Sequence, residues 1–250
     1  MVKSIKINEF QGSSLMLRSL TDRFQSVYVK YFLGFILLIF LNFSNKIHAQ
    51  TCNCHVTFPL GNQYWSQSGI GGNGYSVDLL ICVYGTLYMD VDNEKFLNCY
   101  FHMYPGSSIV IPSGKHINFT GNRFERCNNA MWNGMKVEAG GEVFLYQNTF
   151  NDAIVALDLA PNSTITVFTQ NNFNRCKEGV YADKAIAKRD FLENKFYSNG
   201  MLIAPFAGQF PDFGMRLKGM VVNEVRGSYD RMMRRAINII DNSVYVGNGL

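Results

Sequence analysis

Between His116 and Gly200, apolar and polar positions alternate in short runs that return once in every twenty-odd residues. The runs His116-Ile-Asn-Phe-Thr120, Glu142-Val-Phe-Leu-Tyr146, Thr164-Ile-Thr-Val-Phe168 and, less cleanly, Lys188-Arg-Asp-Phe-Leu192 each predict a strand with one buried side. Each is followed by Asn-x-Phe: Asn122-Arg-Phe124, Asn148-Thr-Phe150, Asn171-Asn-Phe173 and Asn194-Lys-Phe196, with Asn98-Cys-Tyr100 as an earlier copy. A second apolar run then closes each unit: Met135-Lys-Val137, Val155-Ala-Leu157, Gly179-Val-Tyr181 and Met201-Leu-Ile203. Successive asparagines are 24, 26, 23 and 23 residues apart.

A period in the twenties made of strands and turns predicts an all-β solenoid with coils of about 23–26 residues. No unit contains an apolar helix that could serve as a βαβ crossover. Each strand should therefore pair in parallel with its equivalent one coil later, about 4.8 Å away. Identical residues then form ladders. Asn98, Asn122, Asn148, Asn171 and Asn194 suit a bend, because one carboxamide can donate to its neighbour on one side and accept from that on the other. Two positions later, Phe124, Phe150, Phe173 and Phe196 should point inward and stack.

This Asn-x-Phe unit resembles the right-handed parallel β-helix of the pectate-lyase-like superfamily, over about residues 84–204. Met131-Trp-Asn-Gly134-Met-Lys-Val137-Glu-Ala-Gly140-Gly141, followed by Asn148-Thr-Phe150-Asn-Asp-Ala153, also resembles exported repeat proteins of Bacteroidetes. The resemblance implies a cell-surface location, with delivery by a type IX system in longer relatives. Lyases of the superfamily bind Ca²⁺ through acidic residues on a parallel sheet and use a basic residue to abstract a proton. Hydrolases on the same fold pair carboxylates. The chain matches no catalytic motif of either.

The remaining segments divide around the repeat. Residues 1–50, with Lys30 before the apolar run Tyr31–Phe43 and Ala49 near its end, predict a secretory signal, with Met16 as an alternative start given the long polar stretch before the apolar run. The apolar core is shorter than a membrane span needs, so this signal is the only membrane contact expected. Residues 51–83, rich in turn formers around Gln63-Tyr-Trp65, predict an N-terminal cap. A sugar-binding loop at Tyr64 and Trp65 is the competing reading. The β-helix is assigned to 84–250, with a loop insertion at 205–235 and a last coil left open for a partner, a second copy or continuing chain.

Charge changes the picture little. Residues 1–50 hold six of the 23 basic and two of the 19 acidic residues, leaving 17 of each, so the net +4 gives no argument for nucleic acid. All six cysteines lie beyond the signal. A disulfide is expected among Cys52, Cys54, Cys82 and Cys99. Cys127 and Cys176, each five positions after a ladder Asn, are read as buried thiols two coils apart in one column.

Candidate chemistry centres on Glu138, Asp158 and Asp183. A local alignment of the second strands puts them in one acidic column, with Lys136 as a nearby base. Stacked carboxylates would favour a bound cation or a raised pKa, whereas acids at strand ends facing water would do neither. Asp90, Asp92 and Glu94 form a second acidic group that is either a Ca²⁺ turn or a solvated one; they lack EF-hand spacing. No Ser-His-Asp arrangement, nucleophile elbow or phosphate loop is present. The expectation is an exported, non-catalytic module that serves cell-surface structure or binds glycan or a surface protein, and that holds no cofactor. The alternative is a polysaccharide lyase or glycoside hydrolase, the one case that calls for Ca²⁺.

Overall fold

The computed structural model describes residues 54–70, 74–222 and 224–228, with the backbone of 229, 235–240 and 244–245. The predicted signal, Cys52 and the basic run at 231–234 lie outside them. The chain winds into a parallel β-solenoid whose coils each contribute three strands. Face 1 carries the strands before each Asn, among them Lys95–Leu97, His116–Thr120, Glu142–Tyr146 and Thr164–Thr169. Face 2 carries those after it, among them Tyr100–Met103, Arg123–Arg126, Thr149–Asn151 and Asn172–Asn174. The two faces form one 14-stranded sheet, joined where Phe191–Tyr197 pairs with both. Face 3 is a separate 8-stranded sheet that includes Ser108–Ile111, Gly134–Val137, Val155–Leu159, Glu178–Asp183 and Phe213–Lys218.

The corner between faces 1 and 2 explains why Asn recurs. Its first residue is left-handed at Gly121, Gln147, Gln170 and Glu193, with φ of 69°, 57°, 57° and 56°. Its second is the ladder Asn. Asn171 donates from its backbone N to Asn194 Oδ1 at 3.0 Å, and from Nδ2 to the same oxygen at 3.0 Å and to Leu145 O at 3.1 Å. Asn148 repeats these bonds toward Asn171 and Phe119 O. Asn122 repeats them toward Asn148 and Phe96 O. A corner backbone with no strand partner is thereby saturated inside the protein.

Asn98 is not a member of this ladder. It takes the left-handed corner position itself, φ 52°, which Asn tolerates better than most residues. Cys99 occupies the ladder site: its N donates to Asn122 Oδ1 at 2.8 Å and its thiol reaches Ser76 O at 3.3 Å, where an Asn would place its amide. The inward aromatic of that coil is accordingly Phe101, which pairs in register with Phe124. At the other end Gly227 stands opposite Asn194.

Phe101, Phe124, Phe150, Phe173 and Phe196 stack along the interior with centroid spacings of 4.7, 4.7, 5.0 and 4.7 Å. All are buried. Met135, Leu157, Val180 and Met215 meet them from face 3, and Phe119, Leu145 and Phe168 from face 1, to form one continuous core.

Three boundaries differ from the sequence reading. The stretch assigned to a cap already coils: Val56–Phe58, Asn62–Tyr64 and Tyr75–Val77 pair in parallel with Leu80–Val83, Thr86–Tyr88 and Lys95–Leu97. Its turn-forming composition belongs to the corners of an ordinary coil. The insertion is shorter than 205–235, because Phe213–Lys218 resumes face 3 and Val225–Tyr229 resumes faces 1 and 2 across their corner. Met201–Ile203 is correspondingly loop rather than strand. The cysteine register also changes. Cys54 and Cys82 form a disulfide and Cys127 is disulfide-bonded as well, while Cys99 and Cys176 are free and buried. Extra residues after Arg126 place Trp132, not Cys127, opposite Ala153 in the column that leads to Cys176.

Candidate functional site

The proposed acidic column dissolves on face 3. Lys136 pairs with Asp158, Asp158 with Tyr181 and Tyr181 with Arg216, so the outward column alternates base, acid, aromatic and base. Glu138 and Asp183 fall two positions further on, with Ala160 between their coils. The local alignment sets Val155 beside Met135 and Val180, whereas Leu157 is the residue that pairs with both. Asp158 is therefore two positions away from the column of Glu138 and Asp183.

Arg216 stands at the polar centre of this face. Arg216 lies over the ring of Tyr181 at 4.5 Å and that of Phe213 at 5.5 Å. Its Nη2 approaches Glu178 Oε2 to 2.8 Å. Burial raises the pKa of Glu178, with Arg216 and Lys177 working against the shift. Burial likewise raises that of Asp158, opposed by Lys136 and Arg216. Lys218 stands 3.6 Å from Asp183. Lys177, at the edge, reaches Asp212 at 3.8 Å and lies over the Phe206 ring at 4.0 Å, which ties the insertion loop to the sheet.

Satisfaction of these groups is incomplete. Among the described residues, a few buried side-chain polar atoms lack a hydrogen-bond partner, and two of them, Asp183 Oδ1 and Arg216 Nε, lie on adjacent strands of face 3, whereas Glu178 Oε2 is met by Arg216 Nη2. Buried polar atoms are normally paired, so such a concentration marks a place where a ligand or water completes the bonding. Next to it, a cavity of about 260 Å³ runs along Ser108, Gly134, Lys136 and Asp158.

The raised acids give a testable sign. A carboxyl whose folded pKa lies above its unfolded value of about 3.9 weakens the fold as pH rises through the interval between the two. Asp158→Asn is therefore expected to stabilise the protein at pH 7. The gain should stay under about 1 kcal/mol, because Lys136 and Arg216 offset part of the burial and the site meets water. It should fade in acid below the unfolded value. Urea midpoints of both proteins at the two pH values check this.

The second acidic group also separates. Asp90 accepts from Ser66 N at 2.9 Å and from its Oγ at 2.5 Å. Asp92 accepts from His116 N at 2.8 Å, which holds its carboxyl below the usual range. Glu94 is buried and accepts from Ser76 Oγ at 2.7 Å. Three carboxylates with three different partners do not converge, and no metal-competent group of His, Cys, Asp or Glu occurs among the described residues.

Sequence reasoning located Lys136, Asp158 and Asp183 but missed Glu178, Tyr181 and Arg216 as site residues. Tyr181 was visible only as part of a strand. Arg216 carries no periodic signal, because the loop at 198–212 puts it 35 residues after Tyr181, where one coil takes 22 or 23.

Comparison with known proteins gives one result. A family model described as a right handed beta helix region matches residues 61–214. Among curated proteins and among solved structures, none matches the chain.

Proposed function

The chain belongs to the right-handed β-helix family, and from that premise we propose that it is an exported, non-catalytic module whose face 3 binds glycan at a cell surface. The observation that carries this reading is the pair of unsatisfied atoms Asp183 Oδ1 and Arg216 Nε on adjacent strands. They offer donors and acceptors beside the aromatic rings of Tyr181 and Phe213, on a rigid sheet that repeats about every 4.8 Å. Such a surface suits an extended chain of hydroxylated rings better than a compact ligand. The Cys54–Cys82 disulfide supports an oxidising compartment and hence export. The sheet also lacks the stacked carboxylates on which a cation-dependent lyase would draw, since Tyr181 and Ala160 interrupt them.

The specific observation in favour of the enzymatic reading is that Asp158 and Glu178 both hold raised pKa values near Arg216, an environment that can keep a general acid protonated. One experiment separates the two. On a glycan array the protein is expected to bind, Arg216→Ala to bind about tenfold more weakly or worse, and the bound polysaccharide to show no new reducing or unsaturated ends. Product formation that Asp158→Asn abolishes would establish the lyase or hydrolase reading instead. Absence of binding to every glycan would remove both.

A further inference from the structure

Face 2 carries a polar pocket that this reading does not use. Its volume is about 300 Å³, and Tyr100, His102, Glu125, Arg126, Asn128 and Asn129 line it. The first three come from the strands Tyr100–Met103 and Arg123–Arg126, in which Tyr100 pairs with Arg123 and His102 with Glu125. The asparagines come from the residues added after Arg126, the same addition that makes this coil 26 residues long. Three constraints hold that addition in place. Cys127 is disulfide-bonded, Met131 N donates to Ala204 O at 2.8 Å, and Arg126 Nη1 donates to Asn128 O at 2.8 Å and Asn129 Oδ1 at 3.1 Å.

The charges of the pocket are paired within the protein. Arg123 meets Glu125 at 2.7 Å, and Arg126 and Arg175 both meet the buried Asp152, at 2.8 and 2.6 Å. Burial holds His102 below its ordinary pKa, with Glu125 working against the shift, so its ring is neutral at pH 7. What the pocket keeps for a ligand is hydrogen-bonding capacity. Tyr100 and Arg123 both bind Glu125 through Oε2, which leaves Oε1 as an acceptor. The His102 ring has no hydrogen bond to any described residue and packs 4.5 Å from the Tyr100 ring. A neutral imidazole can donate at one nitrogen and accept at the other.

We propose that this pocket is a second ligand site, independent of face 3, and that it takes a neutral sugar ring through adjacent hydroxyl groups. A carboxylate acceptor, a two-way imidazole and planar amides within one rigid cavity match the paired donor and acceptor character of a vicinal diol. With Arg123, Arg126 and Arg175 already engaged by carboxylates, an anionic ring gains little by comparison.

The test follows the His102 ring resonances by NMR while the whole protein is titrated with methyl glycosides of neutral hexoses and, separately, with a methyl glucuronide. A saturable His102 shift with at least one neutral glycoside is expected. Glu125→Gln should weaken that binding about tenfold, as should Asn129→Ala, which keeps the Arg126 bond to Asn128 O and the Cys127 disulfide. Arg216→Ala should leave it unchanged, which separates this site from face 3. No shift with any neutral glycoside, or a shift with the glucuronide alone, overturns the assignment. So does binding that survives both pocket variants.

Discussion

Phe173→Ala is expected to lower folding stability by about 3–5 kcal/mol, read as a fall in the urea midpoint. Phe173 is buried between Phe150 and Phe196, nearly parallel to both, with Phe168 5.8 Å away from the adjoining face. Truncation removes apolar area worth roughly 2–3 kcal/mol. It also leaves a cavity that neighbours on three faces cannot fill, because each is fixed by strand pairing above and below. Phe124→Ala should behave alike for the same reason. A loss below about 1 kcal/mol at either position would contradict the stacked interior.

The second large effect is expected at the corner. Asn171→Ala removes four hydrogen bonds at once: Asn148 N and Leu145 O lose the partners that Asn171 supplies, while Asn148 Nδ2 keeps Phe119 O and Asn194 Oδ1 keeps Asn171 N. At about 1–3 kcal/mol for each buried group left unpaired, and with partial relaxation, the loss should be about 4 kcal/mol. Asn171→Cys should cost less. The thiol at Cys99 already reaches the strand-end carbonyl that an amide would otherwise serve, and a thiol at 171 can do the same for Leu145 O. Thermal unfolding of the three proteins should order them Asn, Cys, Ala. An alanine variant as stable as the cysteine one would show that the carbonyl gains nothing from the donor.

Both effects rest on a part of the fold that is legible in the sequence. The Asn and the Phe lie two residues apart across a corner of constant length, so their order along the chain fixes their order in space. The one slip, at Asn98, has a local cause. Asn serves both positions of the corner, left-handed and ladder, and the motif Asn98-Cys-Tyr100 does not say which one it fills. Only the hydrogen bonds of Cys99 and the register of Phe101 with Phe124 decide it.

The candidate site was legible only in fragments. Lys136, Asp158 and Asp183 stand out as charged residues on predicted strands, but their grouping depends on which residues pair between coils, and Leu157 rather than Val155 stands opposite Met135 and Val180. A shift of two residues keeps every side chain on its own side of the sheet, so hydrophobic alternation cannot detect it. The raised pKa values of Asp158 and Glu178 depend in turn on burial and on cations supplied by other coils.

By itself, then, the sequence determined that the chain coils, how long each coil is, which asparagines line the corner from 122 to 194 and which phenylalanines fill the axis. Those features follow from periodicity and local geometry, and they repeat. The tertiary structure alone decided the register of face 3, the replacement of Asn by Cys99, the place of Arg216 beyond the loop, and the pocket around His102. Each of these brings together residues from different coils across segments of unequal length, and pairing between strands, not spacing along the chain, sets which of them meet.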